Sequence, residues 1–303
     1  MQFRRQHPVL LGLFILAGIF FLFAGGISLL VSSLTRRSST TELFSTVNGI
    51  GVVDLKGLIT SPEETIATLT DFRRNNRIKA VVLRIDSPGG AVGAAQEIYA
   101  EVRRTNEVKP VVASMGSVAA SGGYYAALGA TRIFASPGTI TGSIGVIVKF
   151  ANLEELFAKI GYKSDVVKSG ALKDIGAANR PMSPAERALL QGVVDSIHSQ
   201  FVLAVAGQRA LPEKKVRKLA DGRIFSGQQA LDLGMIDELG NFTDAVLAAA
   251  RLGGMPENET PDLIYPKQRT TLVDLITSKT SLKIVDSILQ THPVLSYQWT
   301  GIR

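Results

Sequence analysis

The chemistry in this sequence centres on a serine set among small residues, with no obvious histidine or cysteine to work beside it. Residues 111–146 read VVASMGSVAASGGYYAALGATRIFASPGTITGSIGV. The run Val111-Val112-Ala113 predicts a strand, Ala120-Ser121-Gly122-Gly123 a tight turn, and the tyrosine and alanine segment a helix. A strand that turns sharply into a helix lifts one side chain out of the sheet and lets backbone N–H groups approach a ligand. Ser114 and Ser117 are rival nucleophiles, but serines in strands and turns are usually structural, and only Ser121 precedes the Gly-Gly pair.

A nucleophilic serine needs a base, and the composition removes the usual one. The three histidines are His7, ahead of a long apolar run, His292 in the C-terminal tail, and His198 within an amphipathic helical pattern. Each reads as structural. With no cysteine, Ser/His/Asp and Cys/His arrangements are both disfavoured. A neutral lysine can take the role where burial disfavours its charged form. Lys173, in Lys168-Ser169-Gly170-Ala171-Leu172-Lys173-Asp174-Ile175-Gly176, has small and apolar neighbours, whereas Lys214, Lys215 and Lys218 look like a solvated helix face. Spacing alone leaves Lys173 one candidate among several. Asp86 and Asp174 are nearby acids of the kind that cap turns or pair with a base, and neither is assigned a catalytic role.

Five motifs in order, DSPGG (86–90), AASGGYYAA (119–127), TGSIGV (141–146), KSGALKDIG (168–176) and DGRIFSGQQALDLGMIDELG (221–240), resemble the signal peptide peptidase A family of serine proteases. The likeness covers residues 47–255. It implies an α/β fold like that of the Clp protease and the crotonases, built from repeated ββα units, with a Ser/Lys dyad. By that resemblance Ser121 matches the nucleophile, Lys173 the general base and Ser143 the serine that orients the lysine. It also implies ring- or dome-like homo-oligomers in which serine and lysine can come from adjacent protomers, and remnant signal peptides or other extended apolar peptides as substrates.

The loop at Asp86-Ser87-Pro88-Gly89-Gly90 has two other readings. Its glycines do not fit G-x-G-x-x-G, so a dinucleotide site is disfavoured and no cofactor is expected. Backbone N–H groups of Gly89 or Gly90, with Gly122, could instead form an oxyanion hole, a use compatible with a tight turn that needs glycine.

The net charge of +7 over 303 residues invites a nucleic-acid reading, but its distribution argues against one. Residues 1–37 hold four arginines and no acid, and residues 261–303 hold five basic and three acidic residues, leaving the centre about neutral. No zinc motif or basic-aromatic stripe accompanies it, so no nucleic acid and no metal is expected. Between Pro8 and Thr35 there is no charged residue, and residues 10–31 would extend about 33 Å as a helix, enough to cross a bilayer core. A signal peptide's apolar region is shorter, so an uncleaved anchor is expected. Arg4 and Arg5 are balanced by Arg36 and Arg37, but a short basic N-terminus normally stays in the cytoplasm. The catalytic domain is therefore expected on the extracytoplasmic side of the bacterial inner membrane.

These assignments divide the chain into an anchor and stub (1–37), a Ser/Thr-rich linker (38–46), a peptidase domain (47–255) and a Pro-containing tail (256–303). Strands are expected at 47–59, 80–85 and 163–168. Helices are expected after Ser61-Pro62-Glu63-Glu64, after the DSPGG loop, over 152–160, and after a capping box at Ser183-Pro184-Ala185-Glu186, followed by 214–220 and 241–252. Strand, helix, strand order argues for a parallel sheet. No internal repeat is visible. The tail could be flexible, could bind a neighbouring subunit or could reach an active site. The competing functions are a crotonase-like acyl-CoA enzyme, for which an anchor has no evident use, and an inactive membrane scaffold.

Overall fold

The computed structural model describes Gly18, Gly25 and residues 48–256, 260–266 and 296–298. Apart from Gly18 and Gly25, which are helical, the expected anchor lies outside the described residues, as does the linker. The chain divides into two compact units at Val47/Asn48, and the second holds every strand and helix named below.

The centre of this second unit is a mixed sheet in the order β7 (Ile224–Ser226), β6 (Ile140–Gly142), β4 (Val111–Ala120), β2 (Ile78–Ser87), β1 (Gly49–Lys56) and β9 (Asp262–Ile264). β1 (Gly49–Lys56), β2 (Ile78–Ser87) and β4 (Val111–Ala120) lie parallel, joined by α1 (Glu63–Arg74) and by a short β3 (Gly89–Ala91) leading into α2 (Val92–Asn106). These strands are apolar on both faces, as a sheet covered on both sides requires. Val81, Leu83 and Ile85 face one core with Leu69, Ile98 and Val102 of the two helices. Ala80 and Val82 point the other way, with Ile50 and Val112, onto α8 (Phe242–Leu252). The alternation is the period of two that a strand imposes.

An irregularity in β4 prepares the site. Ile85 pairs with Met115 but Ser87 pairs with Ala119, so β4 carries extra residues opposite Asp86. The Asp86 carboxylate accepts the Val118 N–H at 3.0 Å and fills the gap. Before the irregularity β4 pairs with β5 (Arg132–Ala135), and after it with β6 (Ile140–Gly142). Such a bulge bends a strand and re-aims the residues beyond it. The end of β4 is thereby turned away from β5 and into α3 (Gly122–Ala127), whose six residues are all buried.

The remaining elements are α4 (Glu154–Lys159), α5 (Pro184–Gln208), α6 (Glu213–Leu219), β7 (Ile224–Ser226, antiparallel to β6), α7 (Gly227–Asp232) and β8 (Glu238–Leu239). The capping box at Ser183 forms as expected, with Glu186 answering the Ser183 N–H at 2.8 Å. Asn241 caps α8 in the same way. Ser61 does not cap α1: the helix starts after Pro62 without a side-chain cap, its first turn carrying Glu63 and Glu64 beside the N-terminal N–H groups.

The strand expected at 163–168 is absent. Those residues pair with no strand and are exposed, with Val166 at 52% and Val167 at 102% relative exposure. No sheet edge of the described residues meets them. The tail contributes β9 (Asp262–Ile264), parallel to β1, and β10 (Ser296–Gln298), antiparallel to β3.

Candidate active site

Ser121 stands at the junction of β4 and α3 with φ 54° and ψ −114°, a conformation that a residue with a Cβ rarely adopts. Two hydrogen bonds hold it there: its N–H donates to the Gly142 carbonyl at 2.8 Å, and its carbonyl accepts the Tyr125 N–H at 2.8 Å. The side chain is 1% exposed, and its Oγ has no hydrogen-bond partner among the described residues. Strain at a residue whose surroundings overdetermine it is a frequent property of catalytic positions.

The glycines after Ser121 are required by close approach. A Cβ at Gly123 would fall 2.9 Å from the Ser87 carbonyl oxygen, and one at Gly122 3.2 Å from the Gly90 nitrogen. Tyr124 anchors α3, its hydroxyl donating to the Met235 carbonyl at 2.9 Å, and burial pushes that phenol above its ordinary pKa. Ser114 is buried and accepts from Arg84 at 2.9 Å, while Ser117 is exposed, so neither rival shares the elbow geometry.

Ser143 sits beside Ser121. Ala120 pairs with Gly142 in the parallel β4–β6 ladder, and each serine is the residue that follows its strand. Ser143 also has positive φ, 50°, and its N–H donates to the Arg223 carbonyl at 2.8 Å. It borders a cavity of about 420 Å³ whose lining includes Gly145, Val194, His198, Gly222 and Gln298. His198 hydrogen-bonds the Ala220 carbonyl at 2.7 Å, consistent with its structural reading.

The DSPGG loop closes the other side. Gly89 has φ +100°, and its N–H donates to Ser87 Oγ at 3.1 Å. Ile59 takes the flanking peptide groups, donating to the Gly89 carbonyl at 2.9 Å and accepting from Ala91 N–H at 2.7 Å. Since peptide groups alternate sides along a strand, the Gly90 N–H faces away from Ile59, towards β10. Of the glycines expected to form an oxyanion hole, Gly90 and Gly122 therefore have amides available, while Gly89 supplies a space without a Cβ.

A backbone carbonyl occupies that space. A Cβ at Gly89 would lie 2.0 Å from the Tyr297 carbonyl oxygen and 2.7 Å from the Gly122 nitrogen, and one at Gly122 would lie 3.2 Å from the same oxygen. The Tyr297 ring is fully buried beside Tyr125 and Phe201. Sequence reasoning singles out none of these aromatic residues as functional. The alternation over Leu295-Ser296-Tyr297-Gln298-Trp299 is a strand signal that could have pointed to Tyr297.

Lys173 is not brought to this group within the chain. It lies exposed in a run of turns, and its side chain makes no hydrogen bond or ion pair among the described residues. The desolvation expected from its neighbours is therefore not met in one chain. The turn is held by charges: Asp174 pairs with Lys168 at 2.5 Å and Arg180 at 3.0 Å, and Arg180 reaches Glu186 at 2.5 Å. The Lys168 and Arg180 hydrogen bonds lower the Asp174 pKa, and Arg180 with the Ser183 N–H lowers that of Glu186 to about 2. Asp86 and Asp174 thus hold turns and pair with bases, as expected.

A family model described as Peptidase family S49 matches residues 103–255, and one described as Clp protease matches residues 42–139. A putative protease of Synechocystis is 44% identical over 212 residues, covering 70% of this chain and 76% of its own. A putative signal peptide peptidase SppA of Enterococcus faecium is 33% identical, covering 76% of this chain and 69% of its own. The chloroplastic serine protease SPPA of Arabidopsis thaliana is 34% identical over 77% of this chain, which spans 34% of that longer protein.

Proposed function

Since the chain belongs to peptidase family S49 and is a serine protease with an α/β fold of the Clp protease and crotonase kind, we propose that Ser121 is its nucleophile and Lys173 its general base. The observation that carries this reading is the strained, buried Ser121 beside a glycine-lined space that already holds a peptide carbonyl.

In the proposed mechanism neutral Lys173, oriented by Ser143, takes the Ser121 proton as Oγ attacks the carbonyl carbon. The Gly90 and Gly122 N–H groups receive the negative charge that develops on the carbonyl oxygen. The lysine then protonates the leaving amine, and water hydrolyses the ester. A lysine acts as base only when neutral, a form that burial favours. Because Lys173 is exposed in one chain, the proposal requires a neighbouring protomer of a homo-oligomer to bring it to Ser121. Exposed Leu156, Ile160, Val166, Val167 and Leu172 on the segment that carries it support such a contact.

Substrates in this reading are extended apolar peptides, including signal peptides left in the membrane. Residues 10–31 would anchor the protein there, with the domain facing out of the cytoplasm. The test is cleavage of casein and of a signal peptide by the full chain in detergent. Ser121→Ala and Lys173→Ala should each lose activity, and mixing the two inactive variants should restore part of it. Full activity in Ser121→Ala would remove the nucleophile assignment, and no recovery on mixing would argue for a site within one chain.

A further inference from the structure

The strand that delivers Ser121 is held, along its irregular part, by side chains. Between Ile85 and Ser87 β2 advances two residues while β4 advances four, from Met115 to Ala119. On the other edge β5 pairs only up to Ser114 and β6 only from Val118, so Met115, Gly116 and Ser117 pair with neither. Backbone groups in such a bulge lose their ladder partners and must find others.

Four side chains supply them. Arg84 donates to the Met115 carbonyl at 3.2 Å, and the Asp86 carboxylate accepts the Val118 N–H at 3.0 Å. Thr139, in the turn that joins β5 to β6, donates to the Gly116 carbonyl at 2.8 Å while its oxygen accepts the Ser136 N–H at 3.1 Å. A hydroxyl can do both at once, so this one ties the bulge to the turn. Thr141 donates to the Ala119 carbonyl at 2.7 Å. Both threonines are buried, where an acceptor deprived of its donor is costly.

The Thr141 bond has a particular place. Thr141 and Ala119 are register partners in the β4–β6 ladder, and two residues further on the chain reaches Ser143 on one side and Ser121 on the other. The Ser121 N–H then donates to the Gly142 carbonyl at 2.8 Å. The two serines thus leave their strands from one crossing point, fixed by the Thr141 hydroxyl from β6 and the Ser121 N–H from β4. Both have positive φ, 54° and 50°, a strain that persists only where the preceding backbone is held.

We propose that Thr141, supported by Asp86 and Thr139, is a positioning residue that sets the separation of Ser121 from Ser143. The proposal rests on Ser121 as the nucleophile and Ser143 as the group that orients the base. Without the Thr141 hydroxyl the Ala119 carbonyl must turn towards another donor, and the end of β4 shifts against β6. The DSPGG loop belongs to β2 and β3, so the effect falls on turnover rather than on KM.

The experiment measures kcat and KM on a fluorogenic peptide, the rate of Ser121 labelling by a fluorophosphonate, and Tm, with the full chain in detergent and the kinetics run well below every Tm. Thr141→Val keeps the shape and loses the hydroxyl; it should lower kcat and the labelling rate about 10- to 10²-fold, as a misplacement of about 1 Å does, with KM unchanged. Thr141→Ser keeps the hydroxyl and loses the methyl, and should turn over at close to the wild-type rate. Asp86 is exposed, so Asp86→Ala reads the same device should Thr141→Val fail to fold. Its kcat should fall about 10-fold, and Asp86→Asn, which retains an acceptor, should recover it. Val82→Ala, in the core against α8, controls for destabilisation and should lower Tm with kcat unchanged. The reverse pattern, Thr141→Ser impaired and Thr141→Val active, would assign Thr141 to packing and overturn the proposal, as would a kcat that follows Tm in every variant, Val82→Ala included. Full kcat in both Thr141→Val and Asp86→Ala, with wild type labelled at Ser121, would overturn this proposal alone. A wild type that turns over the peptide without labelling at Ser121 would overturn it together with the nucleophile assignment.

Discussion

Gly89→Ala fills the space that holds the carbonyl. The added methyl would lie 2.0 Å from the oxygen now seated there, whereas carbon and oxygen that are not bonded normally stay beyond about 3.3 Å. The oxygen must retreat by about 1.3 Å, enough to take hydrogen bonds of about 2.9 Å past their useful range. Losing one oxyanion donor lowers kcat about 10²–10³-fold, so a loss of at least about 10²-fold is expected. The methyl would also lie 2.7 Å from the Gly122 nitrogen, so the start of α3 must give as well, and the φ of +100° adds about 1–3 kcal/mol of backbone strain. In a domain of this size that strain lowers Tm by about 2–12 °C. Gly93→Ala is the matched control. Gly93 lies in the first turn of α2 with open space around its Cβ position, so alanine there should stabilise by up to about 1 kcal/mol and leave turnover unchanged. The assay is turnover of a fluorogenic peptide alongside thermal unfolding. Gly89→Ala within threefold of wild type would refute the assignment of that space to the oxyanion.

Three further perturbations probe the elements around the site. Val167→Asp places a charge on a fully exposed apolar position of the Lys173 segment and should dissociate the proposed oligomer in sedimentation without lowering Tm; an unchanged oligomer would remove this segment from the contact. Glu101 is 2% exposed, ties α2 to α1 through Arg73 and pairs with Arg104 on its own helix, so Glu101→Ala should cost about 3–5 kcal/mol in thermal unfolding while active-site labelling by a fluorophosphonate persists. Glu186, held down to about 2 by Arg180 and the Ser183 N–H, contributes stability that is present above its unfolded pKa of 4.5 and is lost as pH falls from there towards 2. Hydrogen exchange over residues 168–186 should accelerate across that window, and less so in Glu186→Gln, where the titrating carboxylate is gone; equal pH dependence in both would refute the linkage.

What the sequence disclosed was mostly local. Ser121 could be singled out because a strand, a Gly-Gly pair and a helix lie contiguous along the chain, and the turn chemistry that strains it is written in neighbouring residues. The cap at Ser183 was readable for the same reason, being completed within three residues, although the matching pattern at Ser61 formed none. Failure began where the partner was distant or absent. Residues 163–168 were read as a strand, but a strand exists only as a pair, and no edge of the described residues meets them. Lys173 has a local turn that the ion pairs of Asp174 and Arg180 explain, while the burial that a base requires is a property of whatever packs over it.

The tail shows most clearly why a partner decides the role of a segment. Tyr297 is separated from Phe201, Tyr125 and Gly89 by nearly one hundred to more than two hundred residues, and no local signal in the tail names any of them. What draws it in is chemistry common to any peptide: an unpaired strand edge at β3, a glycine-lined space sized for a carbonyl, and an aromatic pocket with one carbonyl acceptor. Those features hold the backbone of whatever lies on them and select one side chain. A site able to bind many extended peptides will also bind a suitable segment of its own chain, which is tethered and so present at a high effective concentration.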